Sequence, residues 1–524
     1  MPLWHTLVPH IRLTLQYFFF LLFPLFLLAT PFKVASYNVE NLFDAVKNGT
    51  EYKEYVPHTH NWNARMVEIK LNHTAEVICD LNADILALQE IENKPIFKQL
   101  QKRLQTVGCG YNYGAISHKK GAAIQVALLS RFPITKQREI VVHRSSRVRN
   151  ILEVDVEVEG RGLKLFVNHW KSKAYHGFES KRIAYAKALQ SRISQLSKST
   201  EYILLGDFNS DHNAYLTLED KNNNTHGKTA FSDVLKTKIS EDKIATASKG
   251  WHYTLWYELP IERRWSHKFY GKKSSLDQIV IPQTMVNAKG IEYVNDSFKV
   301  FKASYLFTKR GYINRWQYKK GKHRAKGYSD HLPIYAYFDT KPYVKNVNTQ
   351  QSERQTLSSI KSLYKTEKLT HSVLLKRVVV LFKRGNHALI KQSPKGRGIY
   401  LFGCASSLQE GGVYDLRVES IKNYHGLKEI TTAYVLKKYS KVSLQPYVSN
   451  PKHTLQQNEL LRNIVGVYRH KKFYFQGKVM PIYFKNRRFT PKNGTKLKIA
   501  YVLVGYYKKL QLVVFSQKDF KIVE

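Results

Sequence analysis

The sequence predicts an α/β region followed by two small β-barrels, and three observations predict this fold class. Several apolar runs, such as Tyr202–Asp211, end abruptly in polar residues, as buried strands do where they leave a sheet. Residues 62–83 and 179–197 instead carry apolar side chains at helical spacing. Beyond residue 370 the chain consists of short β-type runs separated by Gly or polar turns. At 524 residues the chain is too long for one compact core, so two or three domains are expected.

Residues 1–31 have the pattern of an export signal. A weakly basic lead precedes the apolar run Tyr17–Ala29, which is shorter than the roughly 20 residues that span a bilayer. We therefore expect an exported protein that is periplasmic, secreted or attached to the cell surface. A signal anchor that is never cleaved is the alternative, and it would be the only contact with a membrane.

The charge balance indicates an anionic partner. The sequence holds 84 Lys and Arg against 40 Asp and Glu, which gives a formal net charge of +44. Such an excess suits nucleic acid, an anionic membrane or a polyanionic wall polymer, and the 34 Tyr interleaved with it favour nucleic acid. A generically basic protein is the alternative. No sequence feature indicates a protein partner.

The three cysteines are too few to predict a disulfide framework. Cys79 and Cys109 could pair in an oxidising compartment, and two free thiols are the equal alternative.

The first two strands each end in candidate ligand residues. Phe32–Phe43 begins as a strand and breaks at Asn38, where Asn38, Glu40 and Asn41 gather oxygen atoms. The next apolar strand ends in Glu90, a carboxylate that is costly to bury unless it is paired or bound to a metal. The alternative is that Glu90 opens the following helix as a favourable first-turn acid.

Basic and histidine residues accompany the next strands. Residues 121–133 form a core strand, and residues 151–159 alternate apolar and acidic side chains as a half-exposed strand does. Arg149 precedes this second strand, where it could clamp a phosphate. A further strand ends in His169 and a basic tip that includes Lys171. The alternative for each basic residue is a solvated surface charge, and for His169 a turn residue with satisfied hydrogen bonds.

The run Tyr202–Asp211 brings a carboxylate and a carboxamide together at a strand end. Asp207 and Asn209 lie two positions apart, so on an extended backbone they face the same side. Such a pair can hold a water and a phosphoryl oxygen, or a cation that takes oxygen ligands. A strand followed by an Asx-rich turn is the alternative.

Two basic, aromatic loops lead into the last candidates. Ile261–Lys273 runs into an apolar strand, and Lys299–Gly327 runs into a Ser-Asp-His sequence. Cationic loops beside catalytic candidates suit a groove that follows a phosphate backbone. The candidates in and after these loops are Arg264, Lys272, Asp277, Lys320, Asp330 and His331.

The rest of the chain is predicted as a linker and two β domains. Residues 342–370 are polar with little periodicity, which is typical of a linker apart from a short helix near 357–364. Residues 371–448 and 455–524 each hold about five short strands and are predicted as OB-fold-like barrels. The runs after His425 and after Tyr507 are predicted as matching hairpins of the two barrels.

Six motifs in chain order resemble the metal-dependent endonuclease/exonuclease/phosphatase family. This family includes deoxyribonuclease-type and abasic-site endonucleases, sphingomyelinases and inositol-phosphate phosphatases. The forms that begin at Asn38 and Asn168 look most like those of bacterial exported nucleases. The motifs are Ser36-Tyr37-Asn38-Val39, Leu88-Gln89-Glu90, Asn168-His169, Gly206-Asp207-Phe208-Asn209, Leu276-Asp277 and Ser329-Asp330-His331-Leu332-Pro333-Ile334.

The resemblance implies a fold and a metal site. Residues 32–341 would form a four-layer α/β sandwich, with two β-sheets face to face and helices outside. Glu90 would be the main Mg²⁺ ligand with Asn38 beside it, and Asp330 would support the site or a second ion. Mn²⁺ and Ca²⁺ are alternatives to Mg²⁺.

The resemblance also implies catalytic roles for five residues. Asp207 would orient or deprotonate the attacking water, and Asn209 would bind the scissile phosphate. His169 and His331 would contact phosphate oxygens, one of them assisting proton transfer. Asp277 would pair with a histidine.

We therefore expect an exported, Mg²⁺-dependent nuclease that hydrolyses DNA with low sequence specificity, with RNA as an alternative substrate. A phospholipid or sphingolipid phosphodiesterase on the same scaffold is a second hypothesis. A non-catalytic protein that binds polyanions is a third.

Overall fold

The computed structural model describes residues 31–145, 148–174, 177–269, 271–341 and 356–523. The predicted signal, apart from its last residue, and the first part of the predicted linker lie outside the described residues. None of the helices within these ranges combines the length and the apolar character needed to cross a membrane.

Strands and helices alternate through the first domain. The strands are β1 (Phe32–Leu42), β2 (Ile85–Ile91), β3 (Tyr113–Ile116), β4 (Gln125–Ser130), β5 (Ile134–Ile140), β6 (Ile151–Val158), β7 (Arg161–His169), β8 (Tyr202–Asp207), β9 (Tyr253–Thr254), β10 (His267–Phe269), β11 (Lys272–Ser274), β12 (Asp277–Ile281), β13 (Glu292–Tyr293), β14 (Lys299–Val300), β15 (Tyr318–Lys319), β16 (Lys322–His323) and β17 (Ile334–Asp339). The helices are α1 (Ala64–Leu81), α2 (Lys94–Thr106), α3 (Glu179–Ser194), α4 (Ala214–Thr217) and α5 (Glu241–Ile244), with a π-helical turn at Ala230–Val234. Helices α1 and α3 confirm the two helices predicted from apolar spacing.

Two sheets pack face to face in this domain. One has the order β13-β17-β1-β2-β4-β3 with β14 also on β17, and the other has the order β5-β6-β7-β8-β12-β9. Apolar side chains of both sheets, such as Ile85 and Ile203, form the core between them. Helices α1 and α2 cover the outer face of the first sheet, and α3 covers the second. The predicted four-layer α/β sandwich is therefore confirmed.

The strand directions bring several strand ends to one edge of the sandwich. β1 runs parallel to β2, and β7 runs parallel to β8 with His169 opposite Asp207. β12 runs antiparallel to β8, and its first residue, Asp277, also lies opposite Asp207. The carboxyl ends of β1, β2, β7 and β8 therefore lie at the same edge as the start of β12. The candidate residues on these strands are brought together there.

The chain after the sandwich forms two closed barrels. The first contains β19 (Val373–Arg384), β20 (His387–Lys391), β21 (Gly398–Leu401), β22 (Val413–Tyr424) and β23 (Leu427–Tyr439), preceded by β18 (Thr356–Ser358) and α6 (Ile360–Lys365). The second contains β24 (Glu459–Arg469), β25 (Lys472–Phe475), β26 (Lys478–Phe484), β27 (Lys496–Tyr507) and β28 (Lys509–Val514), followed by β29 (Phe520–Ile522).

Both barrels close in the same way. β19 pairs with β22, and β24 pairs with β27. Each barrel therefore has the strand order first-second-third-fifth-fourth-first, with the third and fifth strands parallel. The predicted OB-fold-like barrels are confirmed, and the predicted matching hairpins are β22–β23 and β27–β28.

The second half of the predicted linker belongs to the first barrel. β18 pairs in parallel with β19, and Ile360, Leu363 and Leu369 lie in the barrel core. The prediction of a linker is wrong for this part, because three apolar residues in a polar stretch were enough to anchor it.

The domains contact one another through both polar and apolar groups. Leu381 of the first barrel and Leu460 of the second share one apolar cluster. The first barrel reaches the sandwich through the ion pair of Lys368 with Glu262 at 2.9 Å. Separately, the sandwich contains the disulfide Cys79–Cys109, one of the two alternatives for these cysteines.

The buried His252 in the sandwich is expected to make the stability of the protein depend on pH. His252 Nδ1 bonds the Leu235 carbonyl at 2.7 Å and Nε2 bonds the Tyr202 hydroxyl at 2.9 Å, which satisfies the neutral ring. Burial lowers the pKa of His252 to about 4. Because the unfolded chain binds this proton near pH 6.5, stability should be lost as pH falls from 6.5 towards 4. The expected loss is about 3 kcal/mol, from roughly 1.36 kcal/mol per pKa unit.

Chemical unfolding followed by tryptophan fluorescence at pH 7 and pH 4 measures this loss. The His252→Gln variant should lose about 3 kcal/mol less than the wild type over the same range. The matched control is His226→Gln, which changes an exposed histidine. Equal losses for the wild type and His252→Gln would contradict the prediction.

Candidate active site

One amide links the ends of the two sheets. Asn38 in β1 donates through Nδ2 to Glu90 Oε1 and to Asp207 Oδ2, both at 3.1 Å. Its Oδ1 accepts the backbone N–H of Glu40 at 3.0 Å. The second Glu90 oxygen accepts the backbone N–H of Asn41 at 2.9 Å. Asn38 therefore fixes the two carboxylates relative to each other.

The backbone is strained where these residues lie. Glu40, Asn41 and Glu90 adopt the left-handed region, with φ of 53°, 59° and 67°. Glu90 occupies an irregularity in the register between β2 and β4. Such conformations cost about 1–3 kcal/mol each and tend to gather at functional sites. The irregularity turns the Glu90 side chain towards Asn38, although a regular strand would alternate away from it.

Asp207 lies at the centre of the cluster and is held by its own turn. Its Oδ1 accepts the backbone N–H of Asn209 at 2.8 Å. Burial raises the pKa of Asp207 to about 7. The preceding Gly206 has φ of +126°, and a Cβ there would lie 2.1 Å from the Asn168 carbonyl oxygen, so only glycine fits against β7. The side chain of Asn209 donates to the Trp170 carbonyl at 3.1 Å.

His331 and Asp277 form a buried pair beside Asp207. His331 Nδ1 lies 2.8 Å from Asp277 Oδ2, which also accepts a hydrogen bond from the Ser266 hydroxyl. Burial alone would lower the pKa of His331, but Asp277 reverses this effect and holds it well above its usual value. The free Nε2 lies 3.9 Å from Asp207 Oδ2 and 3.9 Å from Asp330 Oδ1. The Nε2 of His331 therefore faces the carboxylates, and the raised pKa favours the protonated ring.

His169 faces the same carboxylates in a different state. Its Nε2 lies 3.6 Å from Asp207 Oδ2 and 3.8 Å from Glu90 Oε1. Burial, with Arg149 nearby, lowers its pKa well below the usual value. The site thus combines a histidine whose surroundings favour the neutral ring with one whose surroundings favour the protonated ring.

A second acidic pair borders the cluster through an arginine. Arg315 binds Glu40 through Nε at 2.9 Å and approaches Asp330 Oδ2 at 3.3 Å. Burial would raise the pKa of Asp330, but His331 and Arg315 hold it below its usual value. Burial and the charge of Asp330 raise the pKa of Glu40 to about 7.

Sequence reasoning assigned no role to Arg315 or His267. The His267 ring lies 4.8 Å from the His331 ring, because the two residues form an isolated β-bridge. This bridge depends on long-range pairing, which no local motif reveals. The basic loops that contain both residues were the only signal.

The six motif positions lie together at this edge of the sandwich. The model of the endonuclease/exonuclease/phosphatase family matches residues 33–340. The chain belongs to this family.

Solved structures similar to this family member share low sequence identity with it. TDP2 from Caenorhabditis elegans is 16% identical with a TM-score of 0.37, over 59% of this chain and 75% of that one. An AP endonuclease from Archaeoglobus fulgidus is 14% identical with a TM-score of 0.36, over 59% and 100%. A family protein from Leptotrichia buccalis is 17% identical with a TM-score of 0.35, over 59% and 99%. No curated protein matches the sequence significantly.

The residues present in this family member fit the divalent cation that the family implies. Glu90, Asp207 and Asp330 offer carboxylate oxygens within 4 Å of the His169 or His331 ring, and the burial of Asp207 disfavours its negative charge. Hard divalent cations prefer such oxygen ligands. Asn38 turns its amide nitrogen, not its oxygen, towards Glu90, so in this arrangement it positions the carboxylate. Its role as a ligand stays a prediction.

The predicted phosphate-binding residues fall into two groups. Arg149 donates to the His169 and Trp170 carbonyls at 3.1 and 2.8 Å, and Lys171 lies half-buried in the same loop. Arg264 is turned towards the Leu259 carbonyl at 2.7 Å, and Lys272 pairs with Glu219. As placed, these side chains support loops at the rim, and their contacts with phosphate stay predictions.

Lys320 instead lines a concave basic surface. An open cavity of about 450 Å³ is bounded by four cations and one amide, and we call it the basic cup. Arg324 is fixed there by donating to the Lys319 carbonyl at 3.1 Å. The cup follows Arg315 directly in the chain, and Arg315 contacts Glu40 and Asp330. Its lining residues are Gln317, Lys319, Lys320, Arg324 and Lys326.

Proposed function

We propose that this family member is an exported, Mg²⁺-dependent nuclease that hydrolyses DNA with low sequence specificity. The observation that carries the proposal is the meeting of Asp207 with the buried His331–Asp277 pair, while Asn38 holds Glu90 beside Asp207. A phosphodiester is anionic, so the basic cup that follows Arg315 in the chain supports a polyanionic substrate. The formal charge of +44 supports it as well. Export rests on the apolar run near the amino terminus.

The residues of the cluster can take different roles in hydrolysis. Asp207, fixed by Asn38 and Asn209, is placed to accept a proton from an attacking water. His331 carries a proton on Nε2 that it can donate to a phosphate oxygen, while Asp277 fixes its tautomer. The neutral His169 can contact another phosphate oxygen. When bound near Glu90, with Asp330 close by, Mg²⁺ would neutralise phosphate charge and polarise the P–O bond.

One observation favours a lipid phosphodiesterase as the second candidate. Phe269 at the end of β10 is 53% exposed, and β10 contacts His331 through His267. An apolar tip beside the site could enter a membrane. Lys268 lies next to it, however, and the formal charge of +44 favours a polyanion.

Incubation of the purified protein with supercoiled plasmid separates these functions. Nicked or linear DNA should appear with Mg²⁺ and should be absent with EDTA. Release of phosphocholine from sphingomyelin liposomes, with intact plasmid, would favour the lipid enzyme. DNA affinity that is unchanged by EDTA, without turnover with any divalent metal, would favour a polyanion-binding protein.

A further inference from the structure

The tips of two equivalent hairpins, one from each barrel, meet and expose a row of rings. Tyr424 and His425 lie at the tip of β22–β23, and Tyr507 lies at the tip of β27–β28. The ring centroids are 4.6 Å apart from Tyr424 to His425 and 4.8 Å apart from His425 to Tyr507. Tyr424 and Tyr507 are each 45% exposed. We call these three residues the aromatic row.

The contact between the tips is built into the backbone. The Lys508 N–H donates to the His425 carbonyl at 3.2 Å. Gly426 has φ of +96°, and a Cβ there would lie 2.3 Å from the Tyr506 ring. Any side chain at this position would push the hairpins apart. The aromatic row is therefore a composite surface that neither barrel forms alone.

The row is surrounded by cations. The Lys422 ammonium lies 5.3 Å from the centre of the Tyr424 ring. Lys508 and Lys509 are exposed beside Tyr507. Among the residues that the structure describes, none of these three lysines forms an ion pair with a carboxylate. Lys422 lies opposite Glu429 in the β22–β23 pairing, so Lys508 and Lys509 carry the uncompensated charge. Two such cations beside exposed rings favour a ligand that is both anionic and aromatic.

We propose that the aromatic row and its lysines bind single-stranded nucleic acid. Unpaired bases can stack on exposed Tyr rings, while their phosphates lie against nearby lysines. Duplex DNA keeps its bases stacked on each other and cannot use the rings in this way. The inference deepens the proposed function and rests on it, since it gives the nuclease a second contact with strands that carry unpaired bases.

Binding of fluorescein-labelled dT30 to the full chain in EDTA, followed by anisotropy, tests the inference. The Tyr424→Ala/Tyr507→Ala variant should bind at least about tenfold more weakly, because stacking on each ring contributes to affinity. Phe at both positions should keep the affinity. The matched control is Tyr474→Ala/Tyr483→Ala, which removes two other exposed tyrosines and should change affinity less than about twofold.

The lysines make a separate contribution that salt reveals. Replacing Lys422, Lys508 and Lys509 by Gln should reduce the slope of log affinity against log salt by about 2, at roughly 0.7 per phosphate contact. If the tyrosine variant binds dT30 like its control, while the lysine variant loses dT30, heparin and anionic vesicles alike, the row is a general polyanion patch. That outcome overturns the inference.

The failure of this inference is distinguishable from failure of the proposed function. Plasmid cleavage by the wild type, with unchanged dT30 binding by the tyrosine variant, would support the nuclease function and contradict the role of the aromatic row. Loss of dT30 binding in that variant, without plasmid cleavage by the wild type, would support the aromatic row and contradict the proposed nuclease function. Circular dichroism and melting of each variant show whether the barrels remain folded.

Discussion

Replacing Asp207 by Asn is expected to slow phosphodiester hydrolysis by about a thousandfold or more, within the usual range for loss of a positioned acid or base. Asn has almost the same size, and its oxygen can still accept the N–H of Asn209. It cannot accept a proton from water. The variant should therefore fold and bind DNA while hydrolysing it very slowly. Initial rates on supercoiled plasmid with saturating Mg²⁺ measure the loss.

The chain offers a matched control for this substitution. Asp220 is an exposed carboxylate outside the cluster, and Asp220→Asn should leave the rate within about twofold. Thermal unfolding of both variants tests for an indirect effect through stability. A folded Asp207→Asn protein that keeps a tenth or more of the wild-type rate would show that Asp207 is not the proton acceptor.

The structure explains why the sequence predicts Asp207 and Glu90 but not the role of Arg315. Each follows a strongly apolar strand, so a local pattern already places it at a sheet edge. The contact of Glu40 with Arg315 joins residues that lie 275 positions apart. It depends on how a loop returns to the sheet, which local pattern does not encode. The left-handed backbone at Glu90 could not be predicted either, because the local sequence is equally compatible with a regular strand.

The barrels show the same division between local and long-range information. Short apolar runs and turns predicted two sets of strands, and the equivalent hairpins were visible as a weak likeness. The meeting of the hairpin tips required the packing of one barrel on the other, through residues such as Leu381 and Leu460. The amino-acid composition predicted that the loops are basic. It did not predict which lysines stay available, since Lys320 lines the basic cup whereas Lys272 pairs with Glu219. Charge pairing is a property of the fold.

Breaking the His331–Asp277 pair is the second change with a large expected effect. His331→Asn should slow hydrolysis by about 10²–10⁴-fold, since it removes the donor that faces the phosphate. Asp277→Asn leaves the ring in place but replaces the carboxylate that accepts its Nδ1 proton at 2.8 Å by a neutral amide, which is a weaker acceptor. Without that carboxylate the imidazole loses the charge and the tautomer that direct a proton through Nε2. We expect a loss of about a hundredfold.

The double variant distinguishes a working pair from two separate contributions. If Asp277 acts only through His331, the double variant should be about as slow as His331→Asn, because residues that act as a unit are not additive. Tyr305 and Asp80, which share a hydrogen bond of 2.8 Å outside the cluster, provide the control cycle. Tyr305→Phe and Asp80→Asn should each leave the rate nearly unchanged. Losses that multiply in the His331 and Asp277 cycle would mean that Asp277 acts independently of the histidine, and the assigned proton path would then be wrong.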